Sequence, residues 1–353
     1  MKTNQNNKPS NKNSRPDKNR DFDKIDEAVY RAAESKILRS NHRKYIIPIL
    51  AVLLILSFLF IELNTRFFKI EGVPTWDEIF QSADLANGVE KVEGDLTVHF
   101  IDVGQGDCQL IRTSSKSVLI DCGEREYYPD VIEYLKAQEI TRLDYVIITH
   151  PHSDHAGGMS YILEEFDIGA LIMPKLKDSM VPTTNTYMRI LKAVESKKIT
   201  LEYAEPGREY KLDDAKMTVL SPVNDYSDLN NYSVSVKLVH GENSFIFTGD
   251  METKAEKDVL KSGADVSAKV LKVGHHGSNT STSQDFLDAV DPQYAVIGVG
   301  DPNDYGHPHK ETIEKLQSKN IEIYRTDQKG HIIFVSDGKD FNILTKESSH
   351  ADN

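Results

Sequence analysis

Residues 146–159 read VIITHPHSDHAGGM, and they limit the fold more than any other stretch of this 353-residue chain. His150, His152, Asp154 and His155 fall within six positions, directly after the apolar run DYVIIT at 144–149. A continuous apolar run of that length is what a strand buried on both faces requires. The strand therefore carries four metal-capable side chains to a sheet edge. In extended backbone, residues i and i+2 point to the same side, so His150 and His152 reach one cation. Asp154 and His155 come next, at the HAGG turn, and face a second cation nearby. Gly157 and Gly158 permit close packing, and a helix is expected from near Gly157 to Glu165. Neutral imidazoles and carboxylates suit zinc, and also manganese or iron. The chain holds only 12 histidines, so a surface loop that gathered three of them by chance is a poor explanation.

A two-metal site needs a shared ligand, and one carboxylate can serve. SFIFTGDME places Asp250 after another apolar strand, the same strand-end context as His150. Asp250 has a second sound reading, as the N-cap of a helix over 251–263. VLKVGHHGSNTS ends a further strand with His275 and His276. One of the pair is expected to ligate the second ion, and the other to face the substrate. YGHPHKE adds His307 and His309 before a helix, where either touches substrate or metal, or His309 caps the helix.

The rest of the outer domain alternates short strands and helices. LTVHFIDV (96–103), CQLIRT (108–113) and SVLID (117–121) read as strands, the last two forming a hairpin around SSK. YPDVIEYLKAQ (128–138) and NTYMRILKAVESKK (185–198) have helical spacing. The pattern then repeats, with strands at 217–222, 234–240, 244–249, 268–273 and 294–299 and helices at 282–290 and 309–320. IEIYRT, HIIFVS and FNILT close the chain. Interleaved strands and helices with hairpins in both halves predict an α/β fold of two sheet layers between helices.

The motifs HFIDVGQGDCQLI, VLIDCG, THPHSDHAGGM, FTGDME, LKVGHHGSNTS and YGHPHKETIEKL, in that order, resemble the metallo-β-lactamase superfamily. More narrowly they resemble the hydrolase domain at the C-terminal end of the ComEC family of DNA-uptake competence proteins, over roughly residues 96–340. The resemblance implies an αββα sandwich with a dinuclear metal site at one edge. Carried over, the metal ligands are His150, His152, Asp154, His155, Asp250 and either His275, assigned first, or His276. Asp121 of LIDCG then orients a ligand histidine from behind. Catalytic roles fall to Asp154 as hydroxide orienter and to His276 or His307 as proton donor. The cofactors implied are two divalent ions, zinc first, that activate water for attack on an ester. Most members carry one more histidine between the HxHxDH motif and the shared aspartate. Here that interval contains only His240, inside a strand pattern, which fits the role poorly.

A second piece of the chain precedes this domain. Residues 1–44 hold twelve Lys/Arg and six Asp/Glu and are poor in apolar side chains over 1–20, which predicts a largely disordered basic tail, with a short helix possible over 21–44. Residues 45–63, YIIPILAVLLILSFLFIEL, carry no charge from Ile46 to Ile61 and are expected to form a transmembrane helix. The basic flank places the N-terminus in the cytoplasm and the catalytic domain outside the cell membrane, single-pass. Residues 64–94 form a linker with a short helix over 76–86, residues 95–346 the hydrolase domain, and residues 347–353 a tail.

Charge bears on the substrate. The chain carries −13 overall, so everything after the tail carries −19. A protein holding long DNA by many phosphate contacts normally shows a basic stripe. The resemblance to nucleases and phosphodiesterases implies hydrolysis of phosphodiesters, and the acidic charge turns the expectation from long DNA toward smaller phosphoesters, nucleotides or envelope polymers. The alternatives are a non-catalytic metal-binding sensor or scaffold and a hydrolase of a non-phosphate ester such as a lactone. No protein partner is predicted.

The only two cysteines, Cys108 and Cys122, exclude a disulfide framework or a cysteine-rich zinc module. With SSK as a three-residue loop they fall opposite each other. They are then either a cross-strand disulfide or two small buried residues on adjacent strands.

Overall fold

The computed structural model describes residues 52, 55–64, 70, 73 and 91–346. The chain divides into two compact units, Met1–Phe80 and Gln81–Asn353. In the first, residues 55–63 are helical, and Ile55, Leu56, Phe58, Leu59, Phe60 and Leu63 expose their apolar side chains. Among the described residues no helix is long and apolar enough to cross a membrane. The expected span 45–63 lies partly outside the described residues. The tail at 1–44, the helix at 76–86 and residues 347–353 lie wholly outside them.

The second unit begins with β1 (Leu96–Phe100), β2 (Gln109–Thr113), β3 (Ser117–Ile120), β4 (Arg142–Ile147), β5 (Asp167–Met173) and β6 (Thr200–Tyr203). It continues with β7 (Glu209–Leu212), β8 (Ala215–Val219), β9 (Val236–His240), β10 (Asn243–Phe247), β11 (Val270–Lys272), β12 (Tyr294–Ile297) and β13 (Glu322–Arg325). The chain then returns with β14 (His331–Ser336) and β15 (Phe341–Lys346). Two sheets result, ordered β15-β14-β1-β2-β3-β4-β5-β6 and β13-β12-β11-β10-β9-β8-β7.

Alternation along the strands builds three apolar layers. Phe245 and Phe247 point one way and pack with Phe100, Phe334 and Val98 of the opposite sheet. Ile246, between them, points the other way. It packs with Ala255 and Val259 of helix Thr253–Ser262 and Phe286 and Leu287 of helix Gln284–Val290. On the far side of the first sheet, Leu143 and Val146 pack under helices Tyr128–Ala137, Met159–Glu165 and Asn185–Lys197. The expected sandwich of two sheets between helices is what the chain forms.

Both sheets mix strand directions in a way that positions the site. β3 to β6 run parallel, as do β10 to β13. In such sheets ligands collect beyond the carboxyl ends of the strands. The ends of β4, β10 and β11 lead directly into the histidine and aspartate motifs, and the loop after β12 carries His307.

Three local expectations need correction. The β2–β3 hairpin pairs Leu110 with Leu119 and Arg112 with Ser117, so Thr113 faces Lys116 and the turn has two residues, Ser114 and Ser115, rather than three. Thr113 closes it by donating its N–H to the Lys116 carbonyl at 2.9 Å. Continuing that register sets Cys108 against position 121, not 122, and both cysteines are buried and free. Asp250 does not cap the following helix: the helix starts at Thr253, and Glu252 occupies the N-cap. The helix expected from Gly157 starts at Met159, behind a separate turn at Ser153–Ala156 that carries Asp154 and His155. A side chain on Gly157 would meet the Ser153 carbonyl and the Arg125 N–H at about 2.5 Å, so only glycine lets this turn lie against the Glu124–Arg125 backbone.

Candidate metal centre

Asp250 is the hub. It follows Gly249, which takes φ +52 and whose added Cβ would strike Thr149 at 2.9 Å, so the chain turns there against the end of β4. The Asp250 N–H donates to Ser233 Oγ at 3.0 Å, which fixes the carboxylate's direction. Its two oxygens face different sets of nitrogens. Oδ1 lies 3.1 Å from His155 Nε2 and 3.6 Å from His276 Nε2. Oδ2 lies 3.7 Å from His150 Nε2 and 3.7 Å from His275 Nε2.

The Oδ1 side is completed by Asp154, whose Oδ2 lies 3.2 Å from His276 Nε2 and 3.8 Å from His155 Nε2. Ligand atoms of Asp154, His155, Asp250 and His276 all lie within 4.8 Å of one another. On the Oδ2 side, His150 Nε2 and His152 Nδ1 approach to 2.9 Å. The structure thus places His276, and not His275, with Asp154 and His155. His275 stands on the side of His150 and His152, 23% exposed.

Groups behind the histidines hold them in place. Asp121 Oδ2 accepts from Thr149 Oγ1 at 2.6 Å and lies 2.7 Å from His155 Nδ1; its Oδ1 accepts from the Thr149 N–H at 2.8 Å. His155 therefore turns Nε2 toward Asp250. His276 Nδ1 donates to the Gly298 carbonyl at 2.8 Å, which turns Nε2 toward Asp154 Oδ2, 3.2 Å away. His275 and His276 both sit at left-handed backbone, φ 49 and 52, a strained turn of the kind found where side-chain direction matters.

Several buried polar atoms here have no hydrogen-bond partner among the described residues: His155 Nε2, Asp250 Oδ1 and His307 Nδ1. Orphaned buried atoms of this kind are rare in folded proteins and call for a ligand. His155 Nε2 and Asp250 Oδ1 face the same point without hydrogen-bond geometry. Two nitrogens and two carboxylates around it form the donor set that zinc, manganese or iron accepts.

The electrostatics of the metal-free site agree. Burial pushes the His150 and His152 imidazoles down, toward the neutral form a ligand needs. Burial also opposes charge on His155 and His276. There the carboxylates win: Asp250 and Asp154 hold both imidazoles above the ordinary histidine value, assisted by Asp121 and Asp107 respectively. Burial opposes ionisation of Asp154 and Asp250 as well, yet the His155 charge and the His276 contacts keep both below the usual carboxylate range. The site stores protons on the histidines that a cation would displace.

The site opens into a cleft of about 320 Å³ lined by Gln105, Asn230, Asp250, His275, Tyr305 and His307, with His152, Ser153, Asp154 and His276 at its base. Among the described residues the lining contains neither lysine nor arginine. Sequence reasoning missed Gln105, Asn230 and Tyr305. Gln105 and Tyr305 stand inside the motifs HFIDVGQGDCQLI and YGHPHKE but carry no metal-ligating group, and Asn230 opens the short helical turn Asn230–Tyr232. His307 is buried, and its pKa falls to about 4 through burial and the neighbouring histidines. His309 turns away: its Nδ1 accepts from the Asn279 N–H at 3.0 Å, and it occupies the N-cap of helix Lys310–Ser318. His240 binds Ser336 Oγ at 2.9 Å and belongs to the inter-sheet structure, as its strand pattern implied.

Fold and site together are those of the metallo-β-lactamase superfamily, and the profile of the Metallo-beta-lactamase superfamily matches residues 101–301. The chain belongs to that superfamily, whose fold binds divalent metals. Among individual proteins it is similar to ComE operon protein 3 of Bacillus subtilis, 33% identical over 67% of this chain and 32% of that protein. It is similar to competence protein ComA of Neisseria gonorrhoeae, 29% identical over 74% of this chain and 36% of that protein. Recombination protein 2 of Haemophilus influenzae is 32% identical over 67% of this chain and 28% of that protein. The chain thus spans about a third of the length of these relatives. The competence-type resemblance read from the motifs holds.

Proposed function

We propose that the chain is a dinuclear metal-dependent hydrolase of phosphodiester bonds. The observation that carries this reading is the divided carboxylate of Asp250, one oxygen toward each nitrogen set. His150, His152 and His275 with Asp250 Oδ2 would hold one divalent ion. Asp154, His155 and His276 with Asp250 Oδ1 would hold the other. His275 then supplies the third nitrogen on the first side, which compensates for the histidine missing between the two motifs. Bound divalent ions supply an acidified water and a Lewis acid for the phosphoryl oxygen.

The chain's own groups do the positioning. Asp121 and the Gly298 carbonyl hold the His155 and His276 rings in the ligating orientation. Glu252, reached at 3.4 Å and also through Thr280 Oγ1, steadies the His275 ring. His307, neutral at pH 7, serves as a hydrogen-bonding partner for substrate rather than as a charged acid. A cleft without lysine or arginine leaves phosphate charge to be met by the ions, which favours substrates that present one scissile phosphodiester over long polymers held along a groove.

The experiment measures metal content and turnover of bis(4-nitrophenyl) phosphate for the wild type and His152→Ala. The reading expects two equivalents of metal and turnover that the variant loses. Equal activity in both proteins would end it.

We also infer that residues 45–63 anchor the domain, residues 95–346, to a membrane with the domain outside. Support comes from the uncharged run Ile46–Ile61 behind Arg43 and Lys44 and from the exposed apolar side chains of residues 55–63. Protease added to intact cells should remove the domain; protection until the cells are lysed would reverse the orientation.

A further inference from the structure

The rim of the cleft carries a feature that metal chemistry does not need. Tyr305 is 64% exposed, the most exposed large apolar side chain among the described residues. It lines the same cleft as the histidines. One ring face is occupied, because His307 stacks on it with centroids 5.6 Å apart and planes 19° apart. His307 in turn packs edge-on against His275 at 5.4 Å. An unbroken series of rings therefore leads from the metal-facing histidines to the surface and ends in a free aromatic face.

The platform is braced. Asn303 Oδ1 accepts the N–H groups of Tyr305 at 3.2 Å and His307 at 3.0 Å. Asn303 Nδ2 donates to the carbonyls of Gly300 at 2.7 Å and His307 at 2.8 Å. One side chain thus closes the loop 300–307 and presents Tyr305 at little further cost in conformational entropy on binding.

A second observation points to the same ligand. Gln105 lies against the root of this loop: its Oε1 accepts the Gly300 N–H at 3.3 Å. That contact fixes the amide's orientation and leaves Nε2, a donor, buried in the cleft lining without a partner among the described residues. Across the cleft, Asn230 Oδ1 is an acceptor in the same condition. An exposed ring face with an unmatched donor and an unmatched acceptor suits a flat heteroaromatic group with hydrogen-bonding edges. A polyol or simple sugar phosphate would leave the ring face without a π partner.

We propose that Tyr305, backed by His307 and Asn303, is the stacking platform for a nucleobase adjoining the scissile phosphodiester, with Gln105 Nε2 contacting the base edge. This rests on the phosphodiesterase reading and deepens it: the substrate class is nucleotide phosphodiesters. Stacking of one base on an aromatic side chain contributes about 1–3 kcal/mol, which corresponds to roughly 5- to 150-fold in affinity.

The test uses the full chain and two hydrolysis-resistant probes, a methylphosphonate-linked thymidine dinucleotide and its abasic counterpart, with binding read by calorimetry. The wild type should prefer the base-bearing probe by about 5- to 150-fold. Tyr305→Ala should abolish the preference, and Tyr305→Trp should keep it, which shows that the loop still folds. Equal binding of the two probes to the wild type, no binding of either, or an undiminished preference in Tyr305→Ala would overturn the proposal. Wild-type turnover of bis(4-nitrophenyl) phosphate reports on the hydrolase reading separately, so failure of one is told apart from failure of the other.

Discussion

Lys272 Nζ lies 2.6 Å from Asp107 Oδ2, and both side chains are 1% exposed. The ammonium also donates to the Val273 carbonyl at 3.0 Å. This pair joins the loop after β1 in one sheet to the end of β11 in the other. It sits directly behind the site: Asp107 Oδ1 is 3.5 Å from His276 Nδ1, and Asp107 Oδ2 is 3.9 Å from His155 Nδ1.

Removing one partner of a buried pair leaves an uncompensated charge. Lys272→Met should therefore destabilise the metal-free protein by about 3–5 kcal/mol, whereas Lys272→Met with Asp107→Leu should recover most of that loss. Urea unfolding of the chelator-treated variants measures both. A single variant within about 1 kcal/mol of wild type would mean that water reaches the site and screens the carboxylate.

Asp121 touches no cleft atom, yet it fixes the His155 ring. Asp121→Asn should weaken metal binding by about 10- to 100-fold with the fold intact, as loss of an outer carboxylate typically does. Competition with a chromophoric chelator gives the constant. Unchanged affinity would assign His155's orientation to Thr149 instead.

Asp250 and His276 should differ in kind. Asp250→Ala removes the group common to both nitrogen sets, and metal content should fall to none, with turnover at the metal-free level. His276→Ala should retain the ion held by His150, His152 and His275. Elemental analysis after gel filtration separates the two patterns, and identical loss in both variants would argue for a single shared ion.

The raised imidazoles have a pH signature in the metal-free protein. His155 and His276 hold protons more tightly folded than unfolded. Their stabilisation is complete below the unfolded histidine value of about 6.5 and is lost as pH rises through the folded values. His150 acts oppositely: its depressed value withdraws stability as pH falls below about 6.5. The chelator-treated protein should thus lose urea resistance as pH increases above about 6.5, while apparent metal affinity rises over the same range because fewer protons must leave. Stability that climbed with alkalinity there would contradict the charge arrangement around Asp250.

Much of this was legible before any coordinates. Apolar strands followed at once by His150, Asp250 and His275 advertise strand-end ligands, because a strand buried on both faces ends where its polar cargo must emerge. What local pattern does not encode is direction. The choice between His275 and His276 depends on a left-handed turn and on the Gly298 carbonyl, 22 residues downstream. The Cys108–Cys122 pairing failed by one residue, because Thr113 closes the hairpin against Lys116 rather than Ser117. Tyr305 and Gln105 come to line one cleft only once Gly300 packs on the loop after β1, a contact that no periodicity announces.

Asp250 gathers groups from both layers: His150 and His155 follow β4 of one sheet, while Asp250 and His276 follow β10 and β11 of the other. No ion can be fully enclosed until polypeptide from position 150 through 276 has emerged from the ribosome and the two halves have closed on each other. Metal capture is thereby a late event in the life of the chain, and a half-made molecule is spared an active centre it could turn on its surroundings.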